Sequence, residues 1–318
     1  MKAMGIITTI CWVIVAAVVL GLAGWFLTGT VFGVRSERWA TERWGLHRWD
    51  GNWSIGFNIN NWEVLTGPYN PVGTYNVAAS DKSSISIEWP AGNISVQPYD
   101  GVDIKIIEYA QRNLLDDEKL QLSTSGDTLT IRFRARGINT STMPQKRLEV
   151  LVPHDLSGSL RELAVSSLSG NVSAESLSAD MFTINSTSGS ISVVGVSAQT
   201  IDLDSLSGRI TLESSVADDL EADSTSGTLD LSGSFDKISA STLSGTITIR
   251  STSVPGELKA DSTSGSITVI VPDEGAISVY HSSTSGRFSS DIPVTLQGKG
   301  AQFELSTLSG TTRIQVLR

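Results

Sequence analysis

Residues 182–193 read Phe182-Thr183-Ile184-Asn185-Ser186-Thr187-Ser188-Gly189-Ser190-Ile191-Ser192-Val193, and residues 201–212 read Ile201-Asp202-Leu203-Asp204-Ser205-Leu206-Ser207-Gly208-Arg209-Ile210-Thr211-Leu212. Apolar residues fall at the same places in both. The correspondence extends in both directions. A Ser-Gly step returns at Gly170, Gly189, Gly208, Gly227, Gly245, Gly265, Gly286 and Gly310, with spacings of 19, 19, 19, 18, 20, 21 and 24 residues. A period near 20 with short alternating segments is the mark of a solenoid.

The columns of the repeat carry the argument. Seven residues before each glycine stand Leu163, Phe182, Ile201, Leu220, Ile238, Leu258, Val279 and Phe303, all apolar. Two after it stand Val172, Ile191, Ile210, Leu229, Ile247, Ile267, Phe288 and Thr312. Each repeat therefore holds two period-2 segments, which are strands, on either side of a Ser/Thr-Ser-Gly corner. The glycine is expected to let the chain turn. One repeat cannot bury its apolar row alone, whereas stacked repeats can. The fold class is all-β: a β-solenoid of stacked coils of about 19 residues with a dry aliphatic interior. Two before the glycine the residues run Leu168, Thr187, Leu206, Thr225, Leu243, Thr263, Thr284, Leu308. That alternation leaves a coil of two repeats, about 38 residues, open.

The chain of 318 residues carries a net charge of −10 and a pI near 4.8, which argues against nucleic acid as partner. One cysteine, Cys11, excludes an internal disulfide and a Cys-based zinc site. All eight tryptophans lie between Trp12 and Trp89, outside the repeats. Residues 1–34 hold an apolar run, uncharged from Gly5 to Val34 and long enough to span a bilayer. This predicts an N-terminal transmembrane helix, a membrane-lipid partner and a single-pass protein. Residues 35–73 then form an Arg/Trp-rich linker. Its candidate membrane-interface residues are Arg35, Arg38, Trp39, Arg43, Trp44, Arg48, Trp49 and Trp53. The arginines, counted naively, place the large domain in the cytoplasm, whereas its Ser/Thr-rich character favours the outside.

Residues 74–318 form the solenoid, with a cap over 74–160 and repeats over 161–318. In the cap, Gly92-Asn93-Ile94-Ser95-Val96 reads as a degenerate first corner, and Ser123-Thr124-Ser125-Gly126 resembles the later ones. Residues 297–318 are expected to close the other end.

The strand Leu148-Glu149-Val150-Leu151-Val152-Pro153, followed by serial Ser-Leu-Ser-Gly and Ser-Thr-Ser-Gly corners, resembles the bacterial putative-adhesin, or toastrack, family. The resemblance covers about 74–318. It implies a β-solenoid-like domain of unassigned activity, often behind a membrane anchor, with some members similar to Lia-type envelope-stress proteins. An extracytoplasmic role in adhesion or envelope stress is what it implies.

No nucleophile elbow, His-Glu-x-x-His motif or phosphate loop is present. No catalytic, cofactor or metal residue is assigned, and the protein reads as non-enzymatic. His281 and Ser290 break inward columns in one repeat and suggest a satisfied polar pair. Asp204, Asp223 and Asp261 share a column interrupted by Ser241, with Asp202 and Glu221 beside it. Calcium or a glycan-cleaving site are the sharper readings of those carboxylates, and solvated corners the plainer one. The function expected is a membrane-anchored surface adhesin or ligand-binding scaffold, with an envelope protein or surface glycan as partner. An envelope-stress component acting through anchor and collar is the alternative.

Overall fold

Parallel pairing one repeat apart decides what a coil is. Strand Ser178–Ser188 lies between Leu160–Ser169 and Ser197–Ser207, so that Phe182 sits beside Leu163 on one side and Ile201 on the other. After the corner, Ile191–Val194 lies between Val172–Glu175 and the start of Ile210–Ser224. One repeat is thus one full coil of two strands, and the 38-residue alternative falls. The structure is a computed structural model, and it describes residues 68–134, 146–295 and 300–317. These residues belong to one compact unit.

The aliphatic columns face inward. Leu163, Phe182, Ile201, Leu220, Ile238 and Leu258 are buried, as are Val172, Ile191, Ile210, Leu229, Ile247 and Ile267 across the coil. They form one continuous core, because each coil places its side chains about 4.8 Å from their equivalents. A sheet with one dry face and one wet face needs this alternation.

The corner glycines stack on one another. A Cβ on Gly208 would meet the carbonyl oxygen of Gly189 well inside contact distance, and one on Gly227 would meet that of Gly208. Close approach of one coil to the next, more than turning, is what excludes a side chain here. Just inside the corner runs a hydroxyl column. Thr242, Ser262 and Thr307 donate to the carbonyls of Gly227, Gly245 and Gly265 at 3.3–3.4 Å. The tetrapeptide ending at Gly126 has another fate. It turns an antiparallel hairpin between Gln121–Ser125 and Thr128–Arg132, in left-handed backbone (φ 59°) and with open space around it. Gly92 is the true first corner, directly under Gly170.

Order along the stack departs from order along the chain at both ends. Ser84–Glu88 lies between Thr128–Arg132 and Leu160–Ser169, so the first coil is the second layer. At the far end, Ala301–Val316 lies between the Gly265 coil and Ile277–Ser290. The last coil of the chain is therefore the second-to-last layer. The expected closing role of residues 297–318 passes to Ile277–Ser290. The spacings of 21 and 24 residues supply the chain needed to climb past a layer and return. Both the first and the last coil strands gain partners on two sides, which protects ends that otherwise fray.

Spatial order also explains the alternating corner residues. Read up the stack they run Leu168, Thr187, Leu206, Thr225, Leu243, Thr263, Leu308, Thr284. The break seen in the chain disappears. These side chains point outward, with Leu168, Leu243 and Leu308 36–38% exposed. In spatial order leucine and threonine alternate strictly along this outward column.

The two ends are finished differently. At the N-terminal end, Gln121–Ser125 covers one sheet antiparallel, and Asp103–Ala110 followed by Asn70–Ala78 covers the other. Beneath them the Lys146 ammonium and the Glu108 carboxylate form an ion pair at 2.8 Å, both fully buried. Glu108 also accepts from the Leu120 N–H, and Lys146 donates to the carbonyls of Glu118 and Arg134. The Phe133 ring lies 4.2 Å from the ammonium, with Trp89 edge-on to Phe133. Nothing in the sequence reading anticipated this pair.

The expected transmembrane helix is corrected. Among the described residues no helix is long and apolar enough to cross a membrane. The helix His154–Ser157 has four residues, about 6 Å of rise against a hydrocarbon core of about 30 Å. Residues 1–34, and the collar residues Arg35, Arg38, Trp39, Arg43, Trp44, Arg48, Trp49 and Trp53, lie outside the described residues. The anchored architecture, the membrane-lipid partner and the single-pass location therefore have no support and are set aside.

Candidate functional site

Outward-facing columns are the surface on which a partner can act. On the sheet that follows each corner the middle outward column is short and hydroxylated along most of the stack, as at Ser173, Ser192, Thr248 and Thr268. Across the Gly208, Gly227 and Gly245 coils the outward columns change. Arg209, Glu213 and Arg250 are exposed, while Thr211, Asp230, Ser232 and Thr248 among them are half-buried. Together they line a concave basin of about 520 Å³. Arg209 donates from Nη1 to Asp230 Oδ2 at 3.2 Å. No carboxylate lies within ion-pair distance of Arg250 among the described residues.

A local irregularity shapes the basin. Pairing of Ile210–Ser224 with Leu229–Ser244 shifts between Leu212 and Ser215, so Glu213 and Ser214 together face Ser232. This is a bulge, and it accounts for the one spacing of 18 residues. Ser214 has φ 51°, continuing a left-handed column from Ser176 (φ 54°) and Gly195 (φ 63°). The equivalent Gly233 has left that column. The far corner changes form here, and a bulge re-aims the side chains beside it.

The sheet before the corner carries the acidic column. Asp202 lies beside Glu221, and Asp204 beside Asp223. Burial, followed by the charges of Asp202, Asp223 and Glu221, pushes the Asp204 carboxyl up to about 7. Burial, then Glu221 and Asp223, pushes Asp202 up to about 6. Thr183 and Asn185 flank the group from the preceding coil. Ser241 on the following one donates to Asp223 Oδ1 at 2.5 Å. Asp261 stands apart, raised by burial and opposed by Lys259 at 3.7 Å. Among the described residues no group of three or more His, Cys, Asp or Glu could hold a metal ion.

These shifts make stability depend on pH. Unfolded aspartates ionise near pH 4, whereas folded Asp204 holds its proton to about pH 7. Between those limits the folded state binds more protons, so stability falls as pH rises from about 4 to about 7. Asp204→Asn should remove most of this slope. At pH 8 it should raise stability by on the order of 2 kcal/mol, read from urea midpoints at pH 5 and pH 8. An unchanged slope would mean the column is solvated.

His281 and Ser290 are not a pair. The His281 ring lies against Phe288, 5.1 Å between centroids, and burial lowers its affinity for a proton. Ser290 bonds Ile292 instead, donating to its carbonyl at 2.8 Å. Both residues break the inward columns in the last full coil strand, Ile277–Ser290, which has only Val294–Thr295 paired outside its first two residues. Sequence reasoning missed Arg209, Asp230 and Arg250. The signal was charge in three successive coils, at Arg209, Asp230 and Arg250, in outward columns that elsewhere mix Ser and Thr with Glu175, Val194, Ile270, Arg287 and Arg313, next to the single short spacing.

No curated protein matches the chain. Solved structures to which it is similar include a putative adhesin from Bacteroides fragilis, 16% identical, covering 77% of this chain and 96% of that one with a TM-score of 0.49. Another is a putative lipid binding protein from Parabacteroides distasonis, 18% identical, covering 78% and 97% with a TM-score of 0.48. A third is a putative adhesin from Parabacteroides merdae, 15% identical, covering 76% and 95% with a TM-score of 0.44. The expected similarity to Lia-type envelope-stress proteins finds no support among these relatives. The family model described as Toastrack DUF4097 matches residues 82–316, the span of the stacked coils from cap to last strand, and the chain belongs to that family.

Proposed function

We propose that this toastrack domain is a non-enzymatic binding scaffold of the adhesin type, with a surface glycan as its partner. The observation that carries the reading is the basin beside the bulge, where charged side chains ring short hydroxylated ones. The serines that dominate the chain are spent mainly on corners and outward columns of the stack. A rigid stack suits display, because each coil is held by the next and the outer columns keep a fixed spacing.

The test is retention without turnover. The full chain, immobilised, should retain soluble fragments of bacterial envelope polysaccharide. No new reducing ends should accumulate over a day of incubation. Time-dependent cleavage would make it an enzyme, and failure to retain any member of a broad glycan panel would remove the adhesin reading.

A further inference from the structure

We propose that the basin framed by Arg209, Glu213 and Arg250 is a binding site for a carboxylated sugar within a glycan chain. The inference rests on the scaffold reading above and gives it a ligand class. Three observations converge on it.

The first is chemistry. Sugar hydroxyls are met by side chains that donate and accept; Thr211 and Thr248 supply hydroxyls in nearby coils, and Ser232, which donates to the Leu212 carbonyl at 3.2 Å, supplies an acceptor. Asp230 adds a carboxylate acceptor, held in place by Arg209 at 3.2 Å. The second is charge. Arg209 is already engaged by Asp230, whereas Arg250 presents its guanidinium with no carboxylate partner among the described residues. A planar carboxylate on a ligand matches that fork with two parallel hydrogen bonds. A neutral sugar would leave it unused.

The third is shape. A regular solenoid face is flat, and flat faces hold small ligands poorly. Here the bulge at Glu213 and Ser214 lifts one wall, and the long side chains of Arg209 and Arg250 supply others. The volume of about 520 Å³ falls within the range of small-ligand sites, and it admits a short oligosaccharide lying across the coils. The chain's net charge of −10 repels long polyanions, so this is a local contact to one acidic ring and not general capture of acidic polymers. Raising salt should therefore leave binding of a long uronate polymer unchanged or stronger, the reverse of a cationic surface.

Isothermal titration of the full chain with a galacturonate trimer tests the assignment, with the matching neutral galactose trimer as comparison. The acidic trimer should bind and the neutral one should bind about tenfold more weakly. Arg250→Ala should lower affinity for the acidic trimer about tenfold and leave the neutral one unchanged, with Arg250→Lys intermediate. Arg250 is exposed, so the variant should melt like the parent. Asp204→Asn, on the other sheet, should bind like the parent. Equal affinity for the two trimers, or no loss in Arg250→Ala, overturns the proposal. If the chain retains envelope polysaccharide yet ignores both trimers, the basin assignment fails and the scaffold reading stands. If it retains neither, both fail.

Discussion

Replacing Gly208 with alanine should cost about 3 kcal/mol of stability, although it adds a single methyl group. The expected loss comes from the neighbour beneath. A Cβ at this corner collides with the carbonyl oxygen of Gly189, which is backbone and cannot swing aside. The two coils must separate locally, and the contacts of the Ile201 and Ile210 columns loosen with them. Gly256→Ala makes the matching control. Its added Cβ would lie 3.7 Å from the Asp236 carbonyl, an ordinary contact, so stability should change by less than about 0.5 kcal/mol. Urea midpoints of the two variants decide the matter. Because each coil touches only its neighbours, the defect at Gly208 should also broaden the transition, with the segments on either side melting separately. Equal midpoints for Gly208→Ala and Gly256→Ala would show that the coils are free to slide apart, and the stacked-glycine account would fall.

A second large loss is expected at Lys146. Substituting methionine keeps much of the volume but strands the Glu108 carboxylate in a fully buried place. Removing one partner of such a pair costs about 3–5 kcal/mol, because the remaining charge has no water to turn to. The Leu120 N–H still donates to Glu108, which is not enough to hold a bare carboxylate there. Adding Glu108→Gln to Lys146→Met should recover about 2 kcal/mol of that loss, since the amide oxygen still accepts from Leu120 and no charge remains. The double-mutant cycle thus separates the cost of the orphaned charge from the worth of the pair. If the double variant is no more stable than Lys146→Met, the ammonium acts through its packing against Phe133 and not through its charge.

These two sites show what a toastrack stack depends on. Its middle is held by sameness, each coil accepting the next in register. Its N-terminal end is held by an unlike arrangement, antiparallel strands closed over a buried ion pair. The candidate binding basin lies between them in character, in the repeat but at a bulge. Binding there draws on irregularity, since a uniform face offers no place distinct from its neighbours.

The repeat itself was legible in the chain, because inward columns such as Leu163, Phe182 and Ile201 must recur at a fixed interval if stacked coils are to bury them. Period 2 on each side of Gly189 and the β-solenoid class followed from residue types alone. The carboxylate column was visible too, for parallel register places Asp204 beside Asp223 once the period is known. Tertiary structure alone decided the rest. Identical Ser-Thr-Ser-Gly letters turn a hairpin at Gly126 and stack at Gly189, because only the second has another coil pressed against it. Leu308 stands between Thr263 and Thr284 because layers are ordered in space by pairing, which chain order does not record. Lys146 meets Glu108, and Arg250 shares a basin with Arg209 and Asp230, by arrangements of which the local sequence carries no mark. Local preference and periodicity act within a few residues. Which coil lies on which, and where a bulge opens the sheet, is settled only when distant segments compete for the same neighbours.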